Sequence, residues 1–213
     1  MRISYQSLKE VVTDRLRREI FEGVRKPGDH LVEQALAAEY GVSRGPVRDA
    51  IAQLGQEGLV QVLPRRGTFV TELTPLEAWE VYTLRGHLEG MAVRCAASRW
   101  TPAHSARLEE LLAHMVSLGP HDWYRAIELD QQFHHLIVQA AANRTLTQIY
   151  QTLDSKVVAC FLAVKHYLGG MPIEMADRHR DLAAALQQGD FGRAETLAVD
   201  HWAETGARFQ NLT

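Results

Sequence analysis

Long apolar runs are missing from this sequence of 213 residues. The longest, VVACFLAV at 157–164, is far shorter than a bilayer-spanning helix, which needs about 20 apolar residues. The amino terminus, MRISYQSLKEVVTDRL, is charged from its second residue and lacks the apolar core of a secretion signal. The sequence therefore predicts a cytoplasmic protein that does not insert into a membrane.

Cysteine is also scarce. The two cysteines, Cys95 and Cys160, lie in apolar stretches with helical spacing and show no paired spacing. We therefore expect buried thiols rather than a disulfide, and the pattern argues against a metal site built from cysteine.

A strong excess of basic residues, which would indicate nucleic-acid binding, is absent, because the formal net charge is −3. The charges are nevertheless distributed unevenly. Residues 1–74 carry 11 Lys and Arg against 10 Asp and Glu, whereas residues 75–213 carry 12 against 16, together with nine of the ten histidines. This imbalance indicates two domains with different roles.

The first 73 residues have the pattern of a winged helix-turn-helix domain. Ser7 and Glu10 have the spacing of a capping box that begins one helix, a second covers about 32–40, and Ser43 can cap a third. The segments LVQVLP and TFVTEL then predict two short strands, with RRG at the hairpin tip between them. Three helices followed by a β-hairpin predict this fold for residues 1–73.

The remaining residues, 74–213, show only helical patterns. Thr74, Pro75 and Glu77 mark the start of the first helix and a tight domain boundary. Helices are predicted at about 75–99, 102–117, 121–142, 144–168, 173–188 and 191–210. The predicted fold class is therefore mainly α, with an amino-terminal winged helix-turn-helix followed by an all-α bundle of six or seven helices.

Basic side chains on the third predicted helix and at the hairpin tip indicate DNA binding. Arg44 and Arg48 share one face of the helix that would enter the major groove, where an Arg fork matches guanine. Arg65 and Arg66 would reach phosphates or the minor groove, and Gly67 permits close approach of the backbone. The alternative is a solvated helix face on which Arg48 pairs with a nearby carboxylate.

A second candidate site combines three histidines with one carboxylate. Asp130 and His134 lie one helical turn apart, so both side chains can point at one centre. His179 and His201 lie about equally far from a predicted turn at 189–190, so an antiparallel helix pair places them at the same height. These four residues suit a divalent transition metal, zinc first and nickel second. The alternative for Asp130 and His134 is an ordinary surface pair.

Residues 30–70, HLVEQALAAEYGVSRGPVRDAIAQLGQEGLVQVLPRRGTFV, resemble the winged-helix domain of GntR-type bacterial transcriptional regulators. The resemblance implies that Arg44 and Arg48 read bases and that Gly67 approaches the DNA. The full predicted DNA-binding set is Gln34, Ser43, Arg44, Arg48, Arg65, Arg66, Gly67 and Thr68. Two positions depart from the family pattern. Gln34 stands where some relatives carry a further DNA-contacting Arg, and Gly45 replaces a common Thr, so operator preference and affinity would differ.

Residues 75–210 resemble the FCD ligand-sensing domain of the FadR-type branch of the same family. The metal-binding variant of that domain carries Asp-x-x-x-His followed by two later His. These positions match Asp130, His134, His179 and His201 in this sequence. The resemblance therefore implies a metal inside the helical bundle, where it helps to hold a small carboxylate effector.

Two further residues match effector-facing positions of that domain. Arg85 corresponds to an Arg of the first sensing-domain helix, and its guanidinium can hold a carboxylate with two hydrogen bonds. Asn143 also matches a family position. The alternatives are an ion pair of Arg85 with Glu89 and a helix-ending role for Asn143.

These patterns predict a homodimeric transcriptional regulator and not an enzyme. It would bind a pseudo-palindromic operator in double-stranded DNA, and a small organic acid at the metal would change its operator affinity. One alternative is a metal-dependent hydrolase, against which the absence of an HExxH motif argues. Another is a bundle whose metal is purely structural.

Overall fold

The computed structural model describes residues 7–168 and 172–210. Within these residues the amino-terminal elements are α1 (Leu8–Phe21), α2 (Glu33–Tyr40), α3 (Arg44–Gln56), β1 (Val60–Leu63) and β2 (Gly67–Val70). The helices that follow are α4 (Pro75–Ala96), α5 (Pro102–Val116), α6 (Trp123–Ala140), α7 (Arg144–Gln151), α8 (Asp154–Leu168), α9 (Pro172–Gln187) and α10 (Phe191–Gln210). The predicted fold class is confirmed, with seven helices after the hairpin in the described part of the chain.

The first three helices begin and end largely at the residues that the sequence indicates. The Glu10 amide donates to Ser7 Oγ at 3.2 Å and the Ser7 amide donates to Glu10 Oε2 at 2.7 Å, which completes the capping box of α1. Gly41 ends α2 with a φ of 67°, a left-handed conformation that favours glycine. Ser43 lies at the N-cap of α3, but its side chain makes no capping hydrogen bond, contrary to the prediction.

The amino-terminal core is mainly apolar. Its fully buried side chains include Val12, Leu16, Ile20, Leu36, Val47, Ile51, Leu54, Leu59 and Val70. They recur at helical spacing on α1 and α3, so the two helices pack through one face each and leave the opposite face of α3 exposed to solvent.

The hairpin is held in place by a third segment. β1 and β2 are antiparallel, with Leu63 opposite Gly67, and His30 forms a bridge to Phe69 on the outer side of β2. The rings of His30 and Phe69 stack with centroids 4.8 Å apart. Gly67 has a φ of 114°, and a Cβ there would overlap the His30 ring. The fold itself therefore requires glycine at this position.

The helical part begins as predicted and is organised around two closely packed helices. Thr74 and Glu77 form the capping box that starts α4. A Cβ on Gly90 would lie 2.9 Å from Val199 Cγ2, and one on Gly86 would lie 3.1 Å from the Val199 carbonyl oxygen on α10. The two glycines therefore allow α4 and α10 to approach more closely than larger residues would permit.

The main core of the helical part joins α5, α6, α9 and α10. Its buried members include Leu108, Leu111, Met115, Leu129, Phe133, Ile137, Leu182, Leu186, Ala194 and Ala198. Leu129, Phe133 and Ile137 lie on one face of α6 and pack into this core with residues of α9 and α10. Asp130 and His134 each follow one of these residues directly and are buried as well.

The prediction of a single helix at 144–168 is wrong. The chain forms α7, turns at Thr152 and Leu153, and begins α8 at Asp154. The Thr152 hydroxyl donates to the Ile149 carbonyl oxygen at 2.6 Å, so this side chain satisfies a free carbonyl at the end of α7. The break places Asp154 at the start of a new helix.

The chain divides into two compact units. One comprises Met1–Glu72 and Val158–Leu168, and the other comprises Leu73–Val157 and Gly169–Thr213. Within the described ranges, each helix is too short or too polar to cross a membrane.

Candidate metal centre and DNA-binding surface

Four predicted ligands converge inside the helical unit. Asp130 and His134 are one turn apart on α6, His179 lies on α9 and His201 lies on α10. One ligand atom from each residue lies within 4.8 Å of all the others. The α9–α10 hairpin brings His179 and His201 to the same height, with ring centroids 4.5 Å apart. Side chains from three helices therefore meet at one point.

The distances between these atoms fit a shared metal ion. Nε2 of His134 lies 2.9 Å from Nε2 of His179, which lies 3.2 Å from Asp130 Oδ1. Two ligands that share a tetrahedral zinc at about 2.0–2.1 Å are about 3.3 Å apart. Asp130 Oδ2 is buried and has no hydrogen-bond partner among the described residues. A cation, or water bound to it, would satisfy this atom.

The cluster is buried, and its burial and close neighbours shift the pKa values of its members. The exposed fraction is 2% for Asp130, 0% for His134 and 1% for His179, whereas His201 is partly exposed. Burial alone would raise the pKa of Asp130, but His134 and His179 hold it well below its ordinary value of 3.8. Burial and the adjacent rings of His179 and His134 lower the pKa of His201 well below 6.5. Asp130 is therefore charged and His201 is neutral, as metal ligands must be.

His134 has a second carboxylate as its neighbour. Its Nδ1 lies 2.6 Å from Oε1 of Glu89 on α4, which is fully buried. Burial lowers the pKa of His134, but Glu89 and Asp130 outweigh that effect and raise it to about 9. In the absence of a metal, His134 therefore carries the positive charge that the two buried carboxylates require.

Arg85 lies beside this cluster and is also fully buried. Its Nη1 donates to Asp154 Oδ1 at 3.1 Å, and its guanidinium lies 4.0 Å above the Tyr150 ring. Within the described part of the chain, Nε and Nη2 have no hydrogen-bond partner. The predicted alternative, an ion pair with Glu89, is wrong, because Glu89 pairs with His134 instead.

Asn143 begins a helix and does not end one. Its Oδ1 accepts a hydrogen bond from the Leu146 amide at 3.1 Å, which makes it the N-cap of α7. The helix-ending alternative is therefore wrong, and the hydrogen bonds that Asn143 makes to described residues are local to α7.

Four residues of this site were not identified from the sequence: Glu89, Tyr150, Asp154 and Trp202. One signal was available, because Glu89 follows Arg85 by four residues and must share its face of α4. The other three are brought to the site by the break between α7 and α8 and by the close packing of α10 on α4.

The predicted DNA-binding residues lie on the surface of the amino-terminal unit. The exposed ones are Gln34, Ser43, Arg44, Arg48, Arg65 and Arg66, whereas Gly67 and Thr68 are half-buried. Arg44 pairs with Glu33 at 3.2 Å, while Arg48 pairs with no carboxylate of the described residues. The alternative prediction, an ion pair between Arg48 and a nearby carboxylate, is therefore not found among the described residues. The tip residue Arg65 has a φ of 63°.

Comparisons with known proteins agree with this architecture. Residues 8–70 match the family of bacterial regulatory proteins named gntR, and residues 80–204 match the FCD domain. The chain is 32% identical over 193 residues to the uncharacterized HTH-type transcriptional regulator YdhC of Bacillus subtilis (strain 168), and the matched region covers 89% of this chain and 85% of that protein. It is 31% identical over 195 residues to the HTH-type transcriptional repressor RspR of Escherichia coli (strain K12), and this match covers 89% of this chain and 83% of that protein.

The fold also matches a solved structure, that of E. coli McbR/YncC, with a TM-score of 0.66, 23% identity and coverage of 98% of this chain and 99% of that one. These matches are to transcriptional regulators rather than to enzymes. The chain therefore belongs to the gntR family of bacterial regulatory proteins and is a DNA-binding transcriptional regulator with an FCD domain.

Proposed function

We propose that Asp130, His134, His179 and His201 bind a divalent transition metal and that a small carboxylate effector bound beside it changes operator affinity. The observation that carries the proposal is the convergence of four ligand atoms within 4.8 Å from three helices. Three imidazoles and one carboxylate suit zinc best, with nickel as the second candidate. When bound, the metal supplies a Lewis-acidic position for a carboxylate oxygen.

Arg85 supports the effector part of the proposal. The two nitrogens without partners among the described residues, Nε and Nη2, form one edge of the guanidinium. This edge can donate two parallel hydrogen bonds to a carboxylate. Because His201 is the one partly exposed member of the four ligands, a small acid would enter from its side.

The amino-terminal domain, residues 1–73, is proposed to read DNA, and residues 74–213 to form the sensing domain. Arg44 and Arg48 would contact bases in the major groove, while Arg65 and Arg66 would contact phosphates or the minor groove. Gln34, Ser43, Gly67 and Thr68 would complete the contact surface.

A homodimer is proposed because one face of α4 carries exposed apolar side chains. Leu76, Leu84 and Met91 are 62%, 49% and 40% exposed and recur about every two turns. Such a row is typical of a helix that packs against another helix. A second copy of the chain, packed through the same face, would cover it and place two reading helices on a pseudo-palindromic operator.

The metal assignment is tested by replacing two ligands at once. We expect the His134→Ala/His179→Ala double variant to purify without metal, whereas the unchanged protein carries about one divalent ion per chain by elemental analysis. A His87→Ala/His114→Ala variant is the matched control, because both side chains are exposed. Equal metal content in the two double variants would refute the assignment.

Effector binding is tested separately by thermal unfolding with small mono-, di- and tricarboxylic acids, each with and without zinc. The proposal expects at least one acid to raise the unfolding temperature only when zinc is present, and to change operator affinity. Stabilisation by zinc alone, with no response to any acid, would favour the purely structural metal.

A further inference from the structure

Glu89 is not one of the four proposed ligands, but its carboxylate has three side-chain hydrogen-bond partners at the site. It is fully buried on α4. Its Oε1 lies 2.6 Å from His134 Nδ1, while Oε2 accepts from the Tyr150 hydroxyl at 2.7 Å and from Trp202 Nε1 at 2.8 Å. Side chains from α6, α7 and α10 therefore all converge on this one carboxylate.

The chemistry of these neighbours fixes the direction of each hydrogen bond. The indole N–H of Trp202 can only donate, and an ionised carboxylate can only accept. Oε2 is therefore held by Trp202 and Tyr150, and Oε1 accepts from Nδ1 of His134. A neutral imidazole that donates through Nδ1 has its lone pair on Nε2. Nε2 of His134 is the atom that faces His179 and Asp130, 2.9 Å and 3.7 Å away.

We propose that Glu89 is a positioning residue for the metal centre: it holds His134 in the form that donates through Nδ1 and turns Nε2 toward the cation. This inference rests on the proposed metal site. Hydrogen bonds of this kind, from a ligating His to a carboxylate, orient the ring and strengthen the ligand in metalloproteins. Glu89 also supplies, with Asp130, the two negative charges that balance a divalent cation among three neutral imidazoles.

The Glu89→Gln variant tests the proposal with almost no change of shape. An amide has one oxygen and one NH2 group, and the oxygen must serve the Trp202 N–H. The NH2 group then faces His134 Nδ1 and favours the tautomer that carries its proton on Nε2, and this tautomer cannot bind the cation through Nε2.

We expect Glu89→Gln to lower zinc affinity about 10- to 100-fold, measured by competition with a chelating dye. Glu80→Gln is the matched control, because Glu80 lies exposed on the same helix and should leave zinc affinity unchanged. Unchanged affinity in Glu89→Gln, with zinc bound normally by the unsubstituted protein, would overturn the role of Glu89 and leave the metal site standing. If the unsubstituted protein binds no zinc, the proposed metal site itself fails.

A second measurement does not depend on how well the Gln variant folds. In the zinc-loaded, unsubstituted protein, NMR of nitrogen-15-labelled histidine should show a slowly exchanging proton on Nδ1 of His134. A proton on Nε2 of His134 instead would overturn the proposal. Cobalt provides a further readout, because a displaced His134 ligand changes the visible absorption of Co²⁺ in Glu89→Gln but not in Glu80→Gln.

Discussion

Asp154 occupies one of the three nitrogens of the Arg85 guanidinium. Its carboxylate accepts from Nη1 of Arg85 at 3.1 Å and lies 3.0 Å from Nε2 of His135. Because Asp154 engages only Nη1, Nε and Nη2 have no hydrogen-bond partner among the described residues, and these two nitrogens are the ones that would donate to a second carboxylate. At the residue scale, therefore, the proposed acid would bind Arg85 without displacing Asp154.

The metal-free protein is expected to lose stability as the pH rises. Burial lowers the pKa of His134, but Glu89 and Asp130 outweigh it and raise the value from 6.5 to about 9. A group whose pKa is raised by folding contributes its full stability below pH 6.5, and this is lost as the pH rises through about 9. The unfolding temperature of chelator-treated protein should therefore decrease across this interval.

The control for this pH dependence is the His134→Gln variant, also free of metal, which should show a smaller decrease over the same interval. Zinc-loaded protein should likewise be less sensitive, because the cation then replaces the proton on His134. Parallel curves for the unsubstituted protein and His134→Gln would contradict the ion pair as its source.

At the scale of elements, the two predicted DNA-binding arginines of α3 differ in whether they pair with a carboxylate. Arg44 is held by Glu33 of α2 at 3.2 Å, although the pair is largely exposed and adds little stability. Arg48, one turn later on the same face, pairs with none of the carboxylates in the described ranges. The unpaired guanidinium is the one that can approach a guanine edge without first leaving a protein partner.

We expect Arg48→Ala to weaken binding to a selected operator by about 1–3 kcal/mol, because one Arg–guanine contact is lost. Binding to random-sequence DNA should weaken much less, since that depends on phosphate contacts. Fluorescence anisotropy with both DNAs at fixed salt measures the difference. Arg18→Ala, an exposed arginine of α1 outside the predicted surface, is the control. Equal losses on both DNAs for Arg48→Ala would argue against base reading.

The break between α7 and α8 is the second feature at this scale. It places Tyr150 at the end of one helix and Asp154 at the start of the next, and both contact Arg85. A continuous helix would put these two side chains about 40° apart on one surface and 6 Å along the axis. The interruption therefore shapes the proposed effector pocket.

At the scale of the whole molecule, the exposed apolar row on α4 predicts how two copies meet. We expect Leu84→Asp to convert a dimer into a monomer in analytical ultracentrifugation, because burying a charge in an apolar interface is unfavourable. Affinity for a two-half-site operator should fall with it. Val116→Asp is the control, since Val116 is 41% exposed on α5. A Leu84→Asp protein that stays dimeric would show that the chains meet elsewhere.

Much of this molecule was predictable because its signals are local. Capping residues such as Ser7 and Thr74 fixed where helices begin, and the i, i+4 spacing of Asp130 and His134 placed both on one turn of α6. The turn near 189–190 aligned His179 with His201 by simple helix geometry. The prediction of a single helix at 144–168 was wrong because Thr152, whose side chain satisfies a carbonyl at the end of α7, does not interrupt the helical spacing of apolar residues in the sequence.

The fold class, the family and the four side chains proposed to hold a metal could be predicted from the sequence alone, although α7 and α8 were predicted as one helix. The packing of the helices was needed to show that Glu89 pairs with His134 rather than with Arg85, and that Arg85 pairs with Asp154. The bonds that Glu89 accepts come from residues 45, 61 and 113 positions away. No local spacing encodes such contacts, because they depend on how α4, α6, α7 and α10 are rotated and packed against one another.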